Sequence, residues 1–157
     1  REVKMKEILV NKEKKLKLSN CIQYVFDPKE SKTESKIINQ MVNCIRSKGL
    51  KQIGPLITHT TVCIENDLPR IQIAYIMQVS EDTIKINEPY AFSREIYEEK
   101  CLMAEFRGKN DCIQIAYQKL SVYAYEHELK LRGDNYTVYL KQDESSSILA
   151  HIFMPLF

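Results

Sequence analysis

No tryptophan, no CxxC pair and no Cys/His cluster at zinc-ligand spacing occur in this chain of 157 residues. GxSxG, HExxH and a phosphate-cradling glycine loop are absent as well, so no motif argues for a nucleophile elbow, a metalloprotease helix or a nucleotide site. No run approaches the ~20 apolar residues of a membrane span. The N-terminus lacks the charged-then-apolar order of a signal peptide. A net charge of +2 points to neither nucleic acid nor a membrane surface. Without a helix-turn-helix pattern, direct nucleic-acid binding by this chain alone is not expected. Neither a cofactor nor a metal is expected.

What is present is an ordinary globular composition, 44% hydrophobic and 28% charged. That suits one domain with a core needing no disulfides or metals. Nine Tyr and five Phe weight the aromatics toward tyrosine, which suits walls that are apolar yet offer a hydroxyl. Cys21, Cys44, Cys63, Cys101 and Cys112 are odd in number and widely spaced. They read as free, mostly buried thiols of a cytoplasmic protein. The chain starts at Arg1 and not Met, so the expectation is a fragment or trimmed protein with more chain upstream.

Residues 1–17 mix lysines with Met5, Ile8, Leu9 and Val10. A DNA-binding arm is one reading; Glu2, Glu7 and Glu13 dilute the charge and favour a solvated surface segment. In 18–27, Ile22, Tyr24 and Phe26 alternate as in a strand, which Pro28 ends. Ile37, Ile38, Met41, Cys44 and Ile45 recur at helical spacing, with Thr33 or Ser35 to cap and Gly49 to stop. The β-rich runs 54–64 and 69–79 flank a polar turn and predict a hairpin. Residues 80–100, with Pro89, read as a connector. Then come a strand (101–107), a helix (111–129) with Ile113, Ala116, Tyr117, Leu120, Tyr123 and Ala124 on one face, and a hairpin (135–142 and 147–156).

The order is β-α-β-β, connector, β-α-β-β. KGLKQIGPLITHT aligns without gaps on HELKLRGDNYTVY, setting Gly54 with Gly133, Thr58 with Thr137 and Thr60 with Tyr139. The helix faces then coincide. With the second hairpin taken as three residues shorter, Tyr75 falls with His151 and Met77 with Phe153. One α+β domain over 1–157 is therefore expected, with internal repeats at about 18–79 and 101–157. They would form a shared antiparallel sheet of about eight strands, with two helices on one side and a cleft at the pseudo-twofold axis.

With these residues in view, the chain resembles the gyrase-inhibitor-like (GyrI-like) small-molecule-binding family. That family includes the effector-binding domains of bacterial AraC- and MerR-type transcription regulators. AEFRGKNDCIQIAY matches its strand-Gly turn into a helix, and Ala116-Tyr117-Gln118-Lys119-Leu120 its helix step, with Tyr123 further on. Val138-Tyr139-Leu140 and Phe153-Met154-Pro155-Leu156 match its strand ends, while KGLKQIGPLI and IQIAYIMQV fit the first half. The chain departs from the pattern in carrying Asn110 where Tyr is usual, and Thr137 and His151 where acids are common. In cation-binding relatives a carboxylate balances the ligand charge. Here Glu105 is the candidate substitute, its other reading being a solvent-facing strand residue.

The resemblance implies an aromatic-lined site for small aromatic or lipophilic compounds, cations included, in multidrug-type sensing or sequestration. Stacking and cation–π contacts would hold them at ~0.5–2 kcal/mol per contact. The ligand-binding candidates are Tyr75, Tyr117, Tyr136, Tyr139, His151, Phe153 and Glu105, each also readable as core or surface; no catalytic residue is assigned. A cleft-facing His151 would make binding pH-dependent. The chain would act alone or as the sensor of a longer regulator whose DNA-binding domain lies upstream. Two other classes stay open. One is a hydrolase, with His151 beside Tyr75 or Tyr139, or Glu105, as acid/base. The other is a DNA gyrase interaction module.

Overall fold

The computed structural model describes residues 4–26, 29, 31–82 and 85–157. Six strands and two α-helices follow in the order β1 (Val10–Val25), α1 (Glu34–Ser47), β2 (Ile57–Glu65), β3 (Leu68–Gln78), β4 (Tyr90–Lys109), α2 (Gln114–Glu126), β5 (Asn135–Gln142) and β6 (Ser147–Pro155). Single 3-10 turns stand at Met5–Glu7 and Asn110–Cys112. The class is α+β as expected, but among the described residues the strands number six and not about eight. The β-α-β-β order, met twice, supplies three each time. Two compact units result, Lys17–Ile96 and residues 4–16 with Tyr97–Phe157.

Two strands exceed their expected lengths. β1 starts at Val10, well before residue 18, because Leu16 and Leu18 extend its buried alternation. β4 starts at Tyr90, inside the expected connector, because Tyr90 and Phe92 pack on the apolar cluster beneath α1. The strand end expected at Pro28 lies outside the described residues.

In the Lys17–Ile96 unit, β3 pairs antiparallel with β1 and β2. α1 starts as its sequence directs. Thr33 accepts from the Lys36 N–H at 3.3 Å, and Glu34 and Arg46 occupy the ends that favour their charges. Gly49 ends it at φ +72°, a left-handed conformation open to glycine. Ile37, Met41 and Ile45 of α1 bury against Ile22, Tyr24, Tyr75 and Met77, each full burial contributing about 1.5–3 kcal/mol.

In the other unit, β6 pairs antiparallel with β4 and β5. Ala116, Leu120 and Ala124 of α2 pack with Leu102, Ala104, Phe106, Ile148, Ala150 and Ile152. The alanines on helix and strands permit close approach, and Phe106 fills the space between. α2 ends with Glu128 at φ +54°, left-handed where α1 has Gly49.

The units share backbone bonds position by position. Leu50 N–H donates to Ile45 O at 3.1 Å and Leu129 N–H to Ala124 O at 2.8 Å. Val79 N–H donates to Asn20 O at 2.8 Å and Leu156 N–H to Lys100 O at 2.9 Å. The pairs Thr58–Tyr75 and Thr137–Ile152 then set Tyr75 in the place of Ile152, not His151 as the sequence alignment put it. From Ile57 to its partner Ile76 is 19 positions and from Tyr136 to Phe153 is 17, so the second hairpin is two residues shorter and not three. A one-residue slip turns a side chain to the other face of a sheet. Tyr75 therefore faces α1, and Ala74 holds the position that matches His151.

Of the five cysteines, Cys21 and Cys101 are buried while Cys112 is exposed, so the expectation of mostly buried thiols holds for two. Burial pushes both buried thiols up to about 11, which makes them inert packing groups.

Candidate functional site

Four of the seven sequence-derived candidates share the face of β4–β6–β5 that points away from α2. Cross-strand pairing sets Tyr136 opposite Phe153, and His151 opposite both Glu105 and Val138. His151 Nε2 lies 3.0 Å from Glu105 Oε1. The same imidazole meets the Phe153 ring edge-on, with centroids 6.5 Å apart, a favoured aromatic geometry. Glu105 Oε2 also accepts from Arg107 Nε at 3.2 Å. The His151 contact, with help from Arg107, holds the Glu105 carboxyl below its usual range. Glu105 is exposed and His151 half-buried, whereas Tyr136 and Phe153 are buried.

The remaining three lie elsewhere. Tyr117 and Tyr139 pack on the apolar cluster beneath α2. The Tyr117 hydroxyl hydrogen-bonds Thr137 Oγ1, and Thr137 is fully buried. Burial pushes the Tyr117 phenol up to about 12. Tyr75 belongs to the apolar cluster of the Lys17–Ile96 unit.

Sequence reasoning missed the most highly connected polar cluster of this unit. Arg132 donates two bonds to Glu98, at 2.9 and 2.6 Å, and two to Asp134, at 2.7 and 2.6 Å. The Tyr136 hydroxyl donates to Glu98 Oε2 at 2.8 Å. The Glu98 and Asp134 side chains retain only 14% and 10% of their exposure, and both pair with Arg132. Its guanidinium lowers the Glu98 pKa against the opposing effect of burial. Burial and the bond to Glu98 raise that of Tyr136. Glu98 falls within the expected connector, and Arg132 and Asp134 fall between the expected helix and the last hairpin. The usable signal was the Arg-Gly-Asp spacing just before Tyr136, which lets a bidentate guanidinium fold back over a carboxylate.

An open groove of about 930 Å³ lies nearby, lined by Glu7, Ile8, Glu105, Arg107, Lys141 and Leu149 among others. Of the seven candidates only Glu105 reaches it. Among the described residues no cluster of metal-ligating side chains occurs, and no helix is long and apolar enough to cross a membrane.

No protein-family model and no curated protein matches the chain in sequence. Solved structures do match in fold. The C-terminal domain of EcmrR superposes with a TM-score of 0.65 at 14% identity, covering 96% of this chain and 98% of that domain. The fold is GyrI-like. EcmrR in complex with DNA gives a TM-score of 0.67 at 17% identity over 95% of this chain, which spans 57% of that longer protein. A hydrolase from Listeria innocua shares the GyrI-like fold with a TM-score of 0.61 at 9% identity, covering 96% of this chain and 91% of that one.

Proposed function

We propose that the chain is a cytoplasmic effector-binding domain that takes up small aromatic, lipophilic compounds, cations among them. It serves either as the sensor of a transcription regulator or as a stand-alone binder. The observation that carries this reading is the fold match to nearly the whole C-terminal domain of EcmrR, a protein that in its longer form is found on DNA. The face bearing Tyr136, His151, Phe153 and Glu105 supports it, since stacking rings beside a carboxylate suit a flat ligand with a positive edge. In this reading Tyr117, Tyr139 and Tyr75 support the walls from the two cores. The shared backbone bonds favour taking the two units as copies of one β-α-β-β segment. Titrating the protein with cationic and neutral aromatic dyes tests the proposal. Saturable fluorescence changes at a fixed stoichiometry are expected, and no response from any dye would refute it. A gyrase supercoiling assay would then decide for or against the interaction-module alternative.

A hydrolase is the second reading. The His151–Glu105 pair is a positioned acid/base couple, and the Listeria innocua hydrolase shares the fold. Turnover of an activated small ester or strained ring, lost in His151→Ala, would favour it over stoichiometric binding.

A further inference from the structure

A bulge in β5 aims a lysine into the groove. Tyr139 pairs with Ala150 and Lys141 with Leu149, so Leu140 is the extra residue, and such a bulge re-aims the side chains beyond it. Without it Leu140 would oppose Leu149, and Lys141 would oppose Ile148. Instead Lys141 lies beside Leu149 on β6, and Arg107 of β4 pairs with the same leucine from the other side. The two cations thus flank Leu149, about 10 Å apart at the backbone. All three residues line the groove of about 930 Å³. The next pairing along the same face, about 7 Å away, is Glu105–His151–Val138, and Phe153 follows it.

The charges of the groove are not equivalent. Glu105 bonds to both His151 and Arg107 Nε. Asp143 accepts from the Ser145 N–H and hydroxyl, at 2.9 and 2.6 Å, and from the Ser147 N–H at 3.0 Å. Glu7 is engaged as well, and Lys109 Nζ donates to Ser145 O at 2.6 Å. Among the described residues, Lys141 Nζ and the two terminal nitrogens of Arg107 have no hydrogen bond or ion pair. The unused charge of the groove is therefore positive.

Resting on the ligand reading for the place of the ring, we propose that the groove is a carboxylate subsite. The ligand is then a lipophilic carboxylate, its flat body beside His151 and Phe153 and its charge held by Arg107 and Lys141. The free guanidinium nitrogens suit the two oxygens of a carboxylate, and the ammonium closes on it from the far side of Leu149. Leu149, Ile8 and Ile148 supply apolar lining. Glu105 and Asp143, in the same groove, repel a dianion such as a phosphate monoester more strongly than a monoanion.

Titration with two naphthalene fluorophores of one shape, one ending in a carboxylate and the other in a carboxamide, tests this. The wild type should bind the carboxylate at least about tenfold more tightly. Arg107→Gln and, separately, Lys141→Met should remove most of that preference and leave carboxamide binding unchanged. Lys36→Met, at an exposed position of α1, should change neither. Equal binding of the two probes, no binding of the carboxylate, a preference that survives both Arg107→Gln and Lys141→Met, or one that Lys36→Met removes equally would overturn the proposal. If the variants lose their circular dichroism, the wild type decides. A preference that shrinks with added salt supports the ion pair, and one indifferent to salt rejects it. Uptake of cationic and neutral dyes without a carboxylate preference overturns the subsite alone. Carboxylate binding through Arg107 and Lys141, with no response to those dyes, keeps the subsite and removes the broader ligand reading.

Discussion

The Lys17–Ile96 unit and the Tyr97–Phe157 segment follow one backbone plan and fill it with different chemistry. Where the second has Glu98, Arg132, Asp134 and Tyr136, the shared hydrogen bonds place Leu18, Ile53, Pro55 and Ile57 in the first. Where the second has Glu105, His151 and Phe153, the first has Val25, Ala74 and Ile76. The aliphatic version needs only burial. The polar version requires four groups to satisfy one another, because an unpaired buried carboxylate costs several kcal/mol. A fold that can be completed with leucine and isoleucine does not need Arg132 and its two carboxylates, which makes the polar half the place to look for function.

The largest expected difference between the halves lies in their cores. Phe106 is fully buried and its counterpart Phe26 is half-buried. Phe106→Ala should cost about 3–5 kcal/mol and Phe26→Ala about 1–2 kcal/mol, as read by chemical denaturation. Equal losses would break the correspondence.

Next is the ion cluster. Arg132→Ala should cost about 1–3 kcal/mol, a range reduced for the partial exposure of the guanidinium, while Ile53→Ala should cost under about 1 kcal/mol. The pH dependence separates charge from packing. Arg132 holds the Glu98 carboxyl below its ordinary 4.5. Its contribution is therefore fully present above about 4.5 and is lost as pH falls through the lowered folded value. The Tm gap between wild type and Arg132→Ala should narrow below that pH, whereas a gap that stays constant down to strong acid would mark Arg132 as packing alone.

Tyr117→Phe leaves the buried Thr137 hydroxyl without its partner and should cost about 1–2 kcal/mol. Adding Thr137→Val should restore most of the loss, and a double-mutant cycle measures the coupling. Smallest of all, His151→Ala should change stability by under about 1 kcal/mol, because its pair with Glu105 is solvent-accessible. A larger loss in thermal melts would make His151 structural rather than ligand-facing.

The residues announced much of this architecture. The helical spacing of Ile37, Met41 and Ile45, the cap at Thr33 and the alternation in the last hairpin are local signals, and the elements formed there. The matching Leu50 and Leu129 turns are legible because both units carry leucine just after the helix end. Strand register was not legible. A bulge between Tyr139 and Lys141 adds a residue to β5, and nothing in the local sequence marks it, so Tyr75 was matched one position off. The polar cluster was hidden for a related reason. Glu98 and Arg132 are far apart in sequence and meet only through the long strand β4, whose first half looks like a charged connector. The resemblance implied all five of Tyr136, His151, Phe153, Tyr75 and Tyr139, and strand pairing brings the first three to one face. Tyr75 and Tyr139 instead pack on the apolar clusters beneath the helices.

The most direct test of the ligand reading is a fluorescence titration of wild type and His151→Ala, with one cationic and one neutral aromatic dye of similar shape. The account predicts saturable binding to wild type at one fixed stoichiometry, without consumption of the dye, and altered affinity in a His151→Ala protein of unchanged stability. Absence of binding to both dyes, or identical affinities in the two proteins, would contradict it.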